Sequence, residues 1–209
     1  MRKLVSLTVR FSLAMMLMAL ASCAQTAACP APPADFAQAP PRSPGEVAFL
    51  AAKADLAKTY VELPSRAGDE AYEAIQSDLW KRRLPRFFGR YQRYHFYKAP
   101  IVDQLADGMR MPRTVLEEKV LGSRLISSRR PHDGNSQVAM LFGFSDELLA
   151  VAVVGGDCAP VLEDCVWDMG LTIYVPKGTP SRERIELLRT WAVANGLPRE
   201  RPDRIVELP

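Results

Sequence analysis

The sequence predicts a single α+β domain in which helices come first, an antiparallel sheet follows, and a C-terminal helix packs on the sheet. Two observations support this fold class. Apolar residues recur at helical spacing between about residues 47 and 109, whereas from residue 123 onward they form short apolar or alternating runs. Because the turns between these runs are short, neighbouring strands are expected to be antiparallel. We expect the helices to cover one face of the sheet.

The chain begins with a short cationic stretch and an apolar core, and this core ends at the tetrapeptide Leu20-Ala21-Ser22-Cys23. The core is shorter than the roughly 20 apolar residues of a permanent membrane span, so residues 1–22 are expected to be a cleaved signal peptide. This segment resembles the lipobox of bacterial lipoproteins. The resemblance implies a lipid anchor on Cys23, and Ala24 in place of aspartate implies the periplasmic face of the outer membrane. The alternative is an ordinary secretory signal, which would also export the chain.

Removal of the signal changes the net charge. Residues 1–22 contain three of the 27 basic residues and none of the 24 acidic ones, so the mature chain has 24 of each and formal net charge zero. The net charge of +3 on the full chain therefore gives no reason to expect a nucleic-acid partner.

Residues 23–46 are expected to form a lipidated tether, followed by one domain over residues 47–209. Six prolines and seven alanines lie between Ala24 and Glu46, and proline removes amide donors and favours an extended chain. At roughly 3 Å per residue, the tether would reach at most about 60 to 70 Å from the lipid. A plain spacer that keeps the domain clear of the headgroups is the alternative.

Three helices are predicted in the first half of the domain. Residues 47–63 have an alanine-rich helical composition, and residues 69–84 show helical periodicity that Pro85 interrupts. A third helix is predicted to open at Pro100, a residue suited to the first helical turn. The apolar face of this third helix comprises Ile101, Leu105 and Met109.

The second half predicts strands, with turns at residues 131–136 and at Gly155-Gly156. A helix is predicted from Pro180 to Ala194, because Asn195-Gly196 provides a C-terminal stop, and residues 204–208 are expected to add a last strand. The other predicted strands are residues 123–128, 137–144, 148–154 and 166–175.

The cysteines predict one disulfide. Cys158 and Cys165 lie between two predicted strands, where a bridge closing about 8 residues would contribute roughly 2.5 kcal/mol. A metal site is the alternative, but no histidine lies nearby and the spacing matches no zinc signature. We therefore predict no metal and no cofactor, and lipidation of Cys23 leaves the fate of Cys29 open. The further ligands of the alternative metal site would be Asp157, Glu163 and Asp164.

The segment from Trp80 to Lys98 is rich in both cations and aromatic rings. It contains seven Lys or Arg residues, no acidic residue, and seven of the 17 aromatic residues of the chain. Its spacing predicts a basic amphipathic helix, broken or restarted at Pro85. Three interpretations remain open: core aromatics with a solvated basic face, a docking surface for an acidic protein, or contact with anionic lipid or glycan. The candidate interface residues are Arg82, Arg86, Phe87, Arg90, Tyr91, Arg93 and Tyr94.

The sequence predicts no catalytic residue. The chain has two histidines, His95 in the aromatic segment and His132 in a predicted turn, which excludes a metal site built on two histidines of one helix. A hydrolase built on Ser145, His132 and Asp133 would lie around a hairpin and would lack an oxyanion motif. The sequence therefore favours a lipid-anchored, non-enzymatic module that binds another protein, as an inhibitor, an immunity partner or an accessory subunit. The alternative is a small metal-independent envelope hydrolase.

Overall fold

The structure is a computed structural model that describes residues 42–157, 166–179, 181–198 and 203–209. The strands are β1 (Tyr60–Glu62), β2 (Thr114–Glu118), β3 (Arg124–Arg130), β4 (Asp133–Phe142), β5 (Leu148–Asp157), β6 (Val166–Pro176) and β7 (Asp203–Leu208). The α-helices are α1 (Pro44–Thr59), α2 (Ser65–Asp78), α3 (Leu84–Phe88), α4 (Ile101–Gly108) and α5 (Arg182–Ala194). Within these ranges, the strands form one sheet in chain order. Each neighbouring pair is antiparallel except β6 and β7, which are parallel and joined through α5.

The predicted α+β fold is confirmed, but the expectation that helices cover only one face of the sheet is wrong. Helices α2, α3 and α4 share a buried cluster with one face, and α5 shares a second cluster with the other. In β5, Val151 and Val153 belong to the first cluster, whereas Ala152 and Val154 belong to the second. A strand buried on both faces has an uninterrupted apolar sequence. This explains why residues 148–154 of β5 are all apolar.

Helix α1 begins at Pro44, three residues before the predicted start of the domain. The side chain of Ser43 accepts a hydrogen bond from the Glu46 amide at 3.2 Å and caps the helix. The helix ends at Thr59, where residues predicted to continue it form β1 instead. Strand β1 pairs with β2, far away in sequence. The alanine-rich composition alone would let the helix continue past Thr59. The pairing of residues 60–62 with β2 ends it there.

Pro85 does not interrupt the second helix as predicted. Helix α2 runs into a π-helical turn, Leu79–Arg83, in which the Leu84 amide donates to the Leu79 carbonyl. The chain then continues as α3, with Pro85 as its second residue. Because proline is tolerated in a first helical turn, the wider π turn lets the missing amide fall where it costs little.

The third predicted helix and the C-terminal helix are confirmed. Helix α4 follows Pro100, and each of its three predicted apolar residues is about 1% exposed. Helix α5 is capped by the Ser181 hydroxyl and ends at Ala194, followed by Asn195 and by Gly196 with a φ of 99°. The predicted strands from residue 123 onward correspond to β3, β4, β5, β6 and β7.

Gly155 and Gly156 lie within β5 and are buried, so their predicted turn is wrong. A Cβ atom built on Gly155 would be 2.9 Å from the Phe96 ring and 3.4 Å from the His95 Cβ. The glycine is needed because residues 95–96 pack directly on the strand at this position, and the register of β5 against β6 shifts just beyond it. Close approach of another segment is a second common reason for glycine in a strand.

Residues Arg42–Pro209 form one compact unit, and both buried clusters lie inside it. This part of the chain therefore contains its own core and meets the requirement for independent folding. None of its described helices is long and apolar enough to cross a membrane. The predicted signal peptide and most of the predicted tether lie outside the described residues, as do all four cysteines: Cys23, Cys29, Cys158 and Cys165.

Candidate interaction surface

The segment from Trp80 to Lys98 is not one amphipathic helix, which corrects the prediction. Its helical part ends at Phe88, because Gly89 turns the chain with a φ of 55°. Residues 91–100 contain no helix or strand. The predicted helix therefore describes this segment correctly only before Gly89.

A buried side chain, that of Gln104 in α4, holds the irregular part of this segment. Its Oε1 atom accepts hydrogen bonds from the backbone amides of His95 at 2.7 Å and Phe96 at 3.1 Å. Its Nε2 atom donates to the carbonyls of Arg93 at 2.9 Å and Ala99 at 2.7 Å. Gln104 is 1% exposed. Its amide supplies the partners that backbone groups would otherwise find in a helix, which explains why the segment leaves the helical conformation.

The aromatic rings of the segment contribute mostly to the core. Phe88 and Phe96 are 1% and 3% exposed. Tyr174 of β6 lies at the centre of the cluster, with its ring 5.1 Å from Phe88 and 5.6 Å from Tyr91, both in edge-to-face geometry. The Tyr174 hydroxyl lies 2.6 Å from the His95 Nε2 atom. This agrees with the interpretation that placed the aromatics in the core, and it gives the segment a rigid support.

The predicted interface residues divide into two groups. Arg82, Arg86 and Arg90 are exposed, and with exposed Lys81 they form what we name the cationic surface. The other predicted residues are half-buried: Phe87, Tyr91, Arg93 and Tyr94. Phe87 and Tyr91 also pack against the first cluster. All four cations are thus open to solvent, whereas these two rings support the core.

Asp78 neutralises part of the charge beside the cationic surface. Its two carboxylate oxygens accept hydrogen bonds from Arg83 and Arg82. These bonds, that from Arg83 first, hold the pKa of Asp78 below its ordinary value of 3.8. Among the described residues, Arg86 and Arg90 have no ion-pair partner. Their guanidinium groups are therefore available to a carboxylate of another molecule.

A cleft of about 690 Å³ adjoins the cationic surface. Phe87, Leu148 and Leu208 supply apolar lining, and Arg82 and Arg86 lie at the same cleft. Arg83 also lines the cleft, where it binds Asp78 and donates to the Asp146 carbonyl of the β4–β5 turn. Asp78, Asp146 and Glu147 also line the cleft, so it presents charges of both signs beside its apolar lining.

The structure separates the residues of the alternative hydrolase. His132 lies in the β3–β4 turn and Ser145 in the β4–β5 turn, at opposite ends of β4. Ten residues of strand span roughly 30 Å, whereas a nucleophile and its base must approach to about 3 Å. Asp133 instead accepts hydrogen bonds from the Asn135 and Ser136 amides and shapes its own turn. This constellation therefore forms no catalytic site.

Sequence reasoning missed two residues that build this surface, Gln104 and Tyr174. Neither stands out by type or spacing, and Tyr174 is 79 residues from its partner His95. In the part of the chain that the structure describes, no group of His, Cys, Asp or Glu residues could hold a metal ion. Comparisons with family models, curated proteins and solved structures give no match to this chain.

Proposed function

We propose that this protein is a lipid-anchored module of the bacterial outer membrane that faces the periplasm and binds an acidic protein through the cationic surface. The observation that carries the proposal is the exposure of Arg82, Arg86 and Arg90 on a segment that the core supports. Arginine is among the residues that contribute most to binding energy at interfaces. Because Gln104 and the aromatic cluster hold the adjoining segment, little conformational entropy is lost there on binding.

The N-terminal features of the sequence agree with this role. A lipid on Cys23 and a tether over residues 23–46 would keep the domain at the membrane while allowing it to reach a partner in the periplasm. An inhibitor, an immunity protein or an accessory subunit acts by binding its partner and needs no catalytic residue. The cleft beside Phe87 supports a protein partner over free anions, since its apolar lining would accept a side chain.

Charge reversal on the cationic surface tests the proposal. The immobilised unit Arg42–Pro209 and its Arg86→Glu/Arg90→Glu variant would be incubated with envelope extract, and retained proteins compared by mass spectrometry. We expect an acidic protein that the parent retains and the variant loses, with an affinity at least about tenfold weaker once it is purified. Its binding should also weaken with rising salt, because the charges on the rim of an interface are screened.

Arg129→Glu is the matched control, because Arg129 is also exposed but lies in β3 at the opposite end of the sheet. It should retain the same partner as the parent. The proposal is wrong if the double variant retains every protein that the parent retains, or if Arg129→Glu loses the same protein. Circular dichroism of each variant would establish that the fold is unchanged.

The proposed anchor is tested separately on the full chain. Labelled palmitate should be incorporated into the membrane fraction of the parent and not into Cys23→Ser. Incorporation that survives the substitution would contradict lipidation at this residue. Loss of the label together with unchanged partner binding would support the two parts of the proposal independently.

A further inference from the structure

The most exposed large apolar side chains of the described residues converge on one place. Val120, Phe144 and Leu121 are 86%, 78% and 67% exposed, more than any other large apolar residue in the described ranges. Val120 and Leu121 form the β2–β3 turn, and Phe144 lies in the β4–β5 turn. Since β2 and β4 are both antiparallel to β3, these two turns lie at the same end of the sheet. Clustered exposed apolar residues indicate an interaction site more strongly than single ones do.

These side chains border a groove of about 1150 Å³, which we name the apolar groove. Its other sides are the C-terminal end of α1 and the N-terminal half of α5. Half-buried leucines from three elements line it further: Leu56, Leu149 and Leu187. The volume exceeds that of most small-molecule pockets. The groove is therefore large enough for several side chains of a peptide.

The two turns that present the apolar side chains are held in place. In the β2–β3 turn, the Ser123 hydroxyl donates to the Glu118 carboxylate at 2.5 Å, and the Glu118 amide donates to the Ser123 carbonyl at 2.8 Å. In the β4–β5 turn, the Glu147 carboxylate accepts from the Ser145 amide at 3.1 Å, and Arg124 forms an ion pair with Asp146. Exposed apolar residues on turns this well bonded are preorganised for binding.

The charges around the apolar groove are mostly negative, opposite in sign to those of the cationic surface. Five carboxylates line it, against the two guanidinium groups of Arg182 and Arg184. Two of the five form ion pairs with neighbouring cations, Asp55 with Lys58 and Glu186 with Arg189, which leaves three carboxylates against the two guanidinium groups. This excess of acid disfavours anionic lipid and favours a cationic partner. The carboxylates are those of Asp55, Glu118, Glu147, Glu183 and Glu186.

We propose that the apolar groove binds a cationic amphipathic helix of another protein, with the apolar face of that helix on Phe144 and Leu121 and its basic residues beside the acidic rim. Helix-in-groove recognition uses this combination of an apolar floor and charged edges. The groove shares Glu147 with the cleft that adjoins the cationic surface, but its own charges select a partner of opposite sign. A protein with both surfaces can bridge an acidic partner and a basic one.

The test uses the unit Arg42–Pro209 and a synthetic amphipathic peptide of leucine and lysine, about 18 residues or five helical turns long. Binding would be followed by fluorescence anisotropy of the labelled peptide. We expect Leu121→Ser/Phe144→Ser to weaken binding at least about tenfold. A peptide with glutamate at every lysine position should bind at least about tenfold more weakly than the lysine peptide.

Ile205→Thr is the matched control, since Ile205 is 42% exposed on β7 at the edge of the sheet and does not line the groove. It should bind the lysine peptide as the parent does. Equal binding of both peptides, unchanged binding by the double variant, or an equal loss in Ile205→Thr would each overturn the proposal. Failure to bind the peptide, with flotation on phosphatidylglycerol vesicles that needs Leu121 and Phe144, would identify a membrane contact instead and also overturn it.

Discussion

Replacement of Gln104 by leucine should destabilise the domain more than any conservative change on its surface. Gln104 is 1% exposed and its amide makes four hydrogen bonds to the backbone of residues 93–99. Leucine has a similar volume but no polar atom. The substitution would therefore remove the hydrogen bonds while filling the same space.

The size of this effect depends on which backbone groups water can reach. The amides of His95 and Phe96 belong to residues that are only 2% and 3% exposed, so both lose a partner that water does not readily replace. The carbonyls of Arg93 and Ala99 belong to half-buried residues and can be hydrated. Two buried unsatisfied donors cost about 1–3 kcal/mol each. The expected loss is therefore about 2–6 kcal/mol, or roughly 4–24 °C in melting temperature for a domain of this size.

Gln92→Leu provides the matched control for this prediction. Gln92 also accepts a backbone hydrogen bond, from the Ile101 amide at 3.2 Å, but its side chain is exposed. The substitution leaves one buried amide without its partner, since Ile101 is 1% exposed, so we expect a loss of about 1–3 kcal/mol, half that of Gln104→Leu. Urea denaturation followed by circular dichroism would measure both variants. If Gln104→Leu were as stable as Gln92→Leu, Gln104 would not be the residue that holds this segment.

Three further predictions concern Gly108, Asp78 and the cysteine pair Cys158 and Cys165. Gly108→Ala should destabilise the domain by about 1–3 kcal/mol, since its Cβ would be 2.4 Å from a Val138 methyl group; the loss should shrink in a Val138→Ala background, as urea denaturation would show. Asp78→Asn should lower the urea midpoint at neutral pH, and the difference from the parent should shrink as pH falls below 3.8 and vanish below the lowered native pKa. This follows because a lowered native pKa stabilises the fold above the unfolded value and is lost on protonation; a constant difference would refute it. Non-reducing mass spectrometry should find Cys158 joined to Cys165, and two free thiols there would contradict the proposed disulfide.

Sequence patterns predicted the elements whose cause is local. The three apolar positions of α4 recur at helical spacing, and Pro100 and Asn195-Gly196 mark a helix start and a helix end by their own conformational limits. The patterns failed for β1 and β2, which are three and five residues long. Such short strands exist because of their pairing with each other, and residue composition contains no record of that pairing.

The basic segment shows the same division within one stretch of chain. Before Gly89, the helical wheel placed Arg82 and Arg86 correctly on an exposed face. After it, the hydrogen bonds of Gln104 replaced the expected helix, and a side chain that lies in a different helix cannot be read from the spacing of residues 91–98. The sequence thus identified the exposed arginines, but it did not identify Gln104, which holds the adjoining segment.

The amino-acid sequence alone determined the α+β class, the order of most elements, the neutral charge expected after signal removal, and the candidates Arg86 and Arg90. These depend on composition and on periodicity within one element. Only the tertiary structure decided that helices cover both faces, that Ser145 and His132 lie apart, and that two hairpin turns meet two helices at the apolar groove. The reason is physical: a groove or a buried network forms between segments that are distant in sequence, and their packing determines which side chains meet.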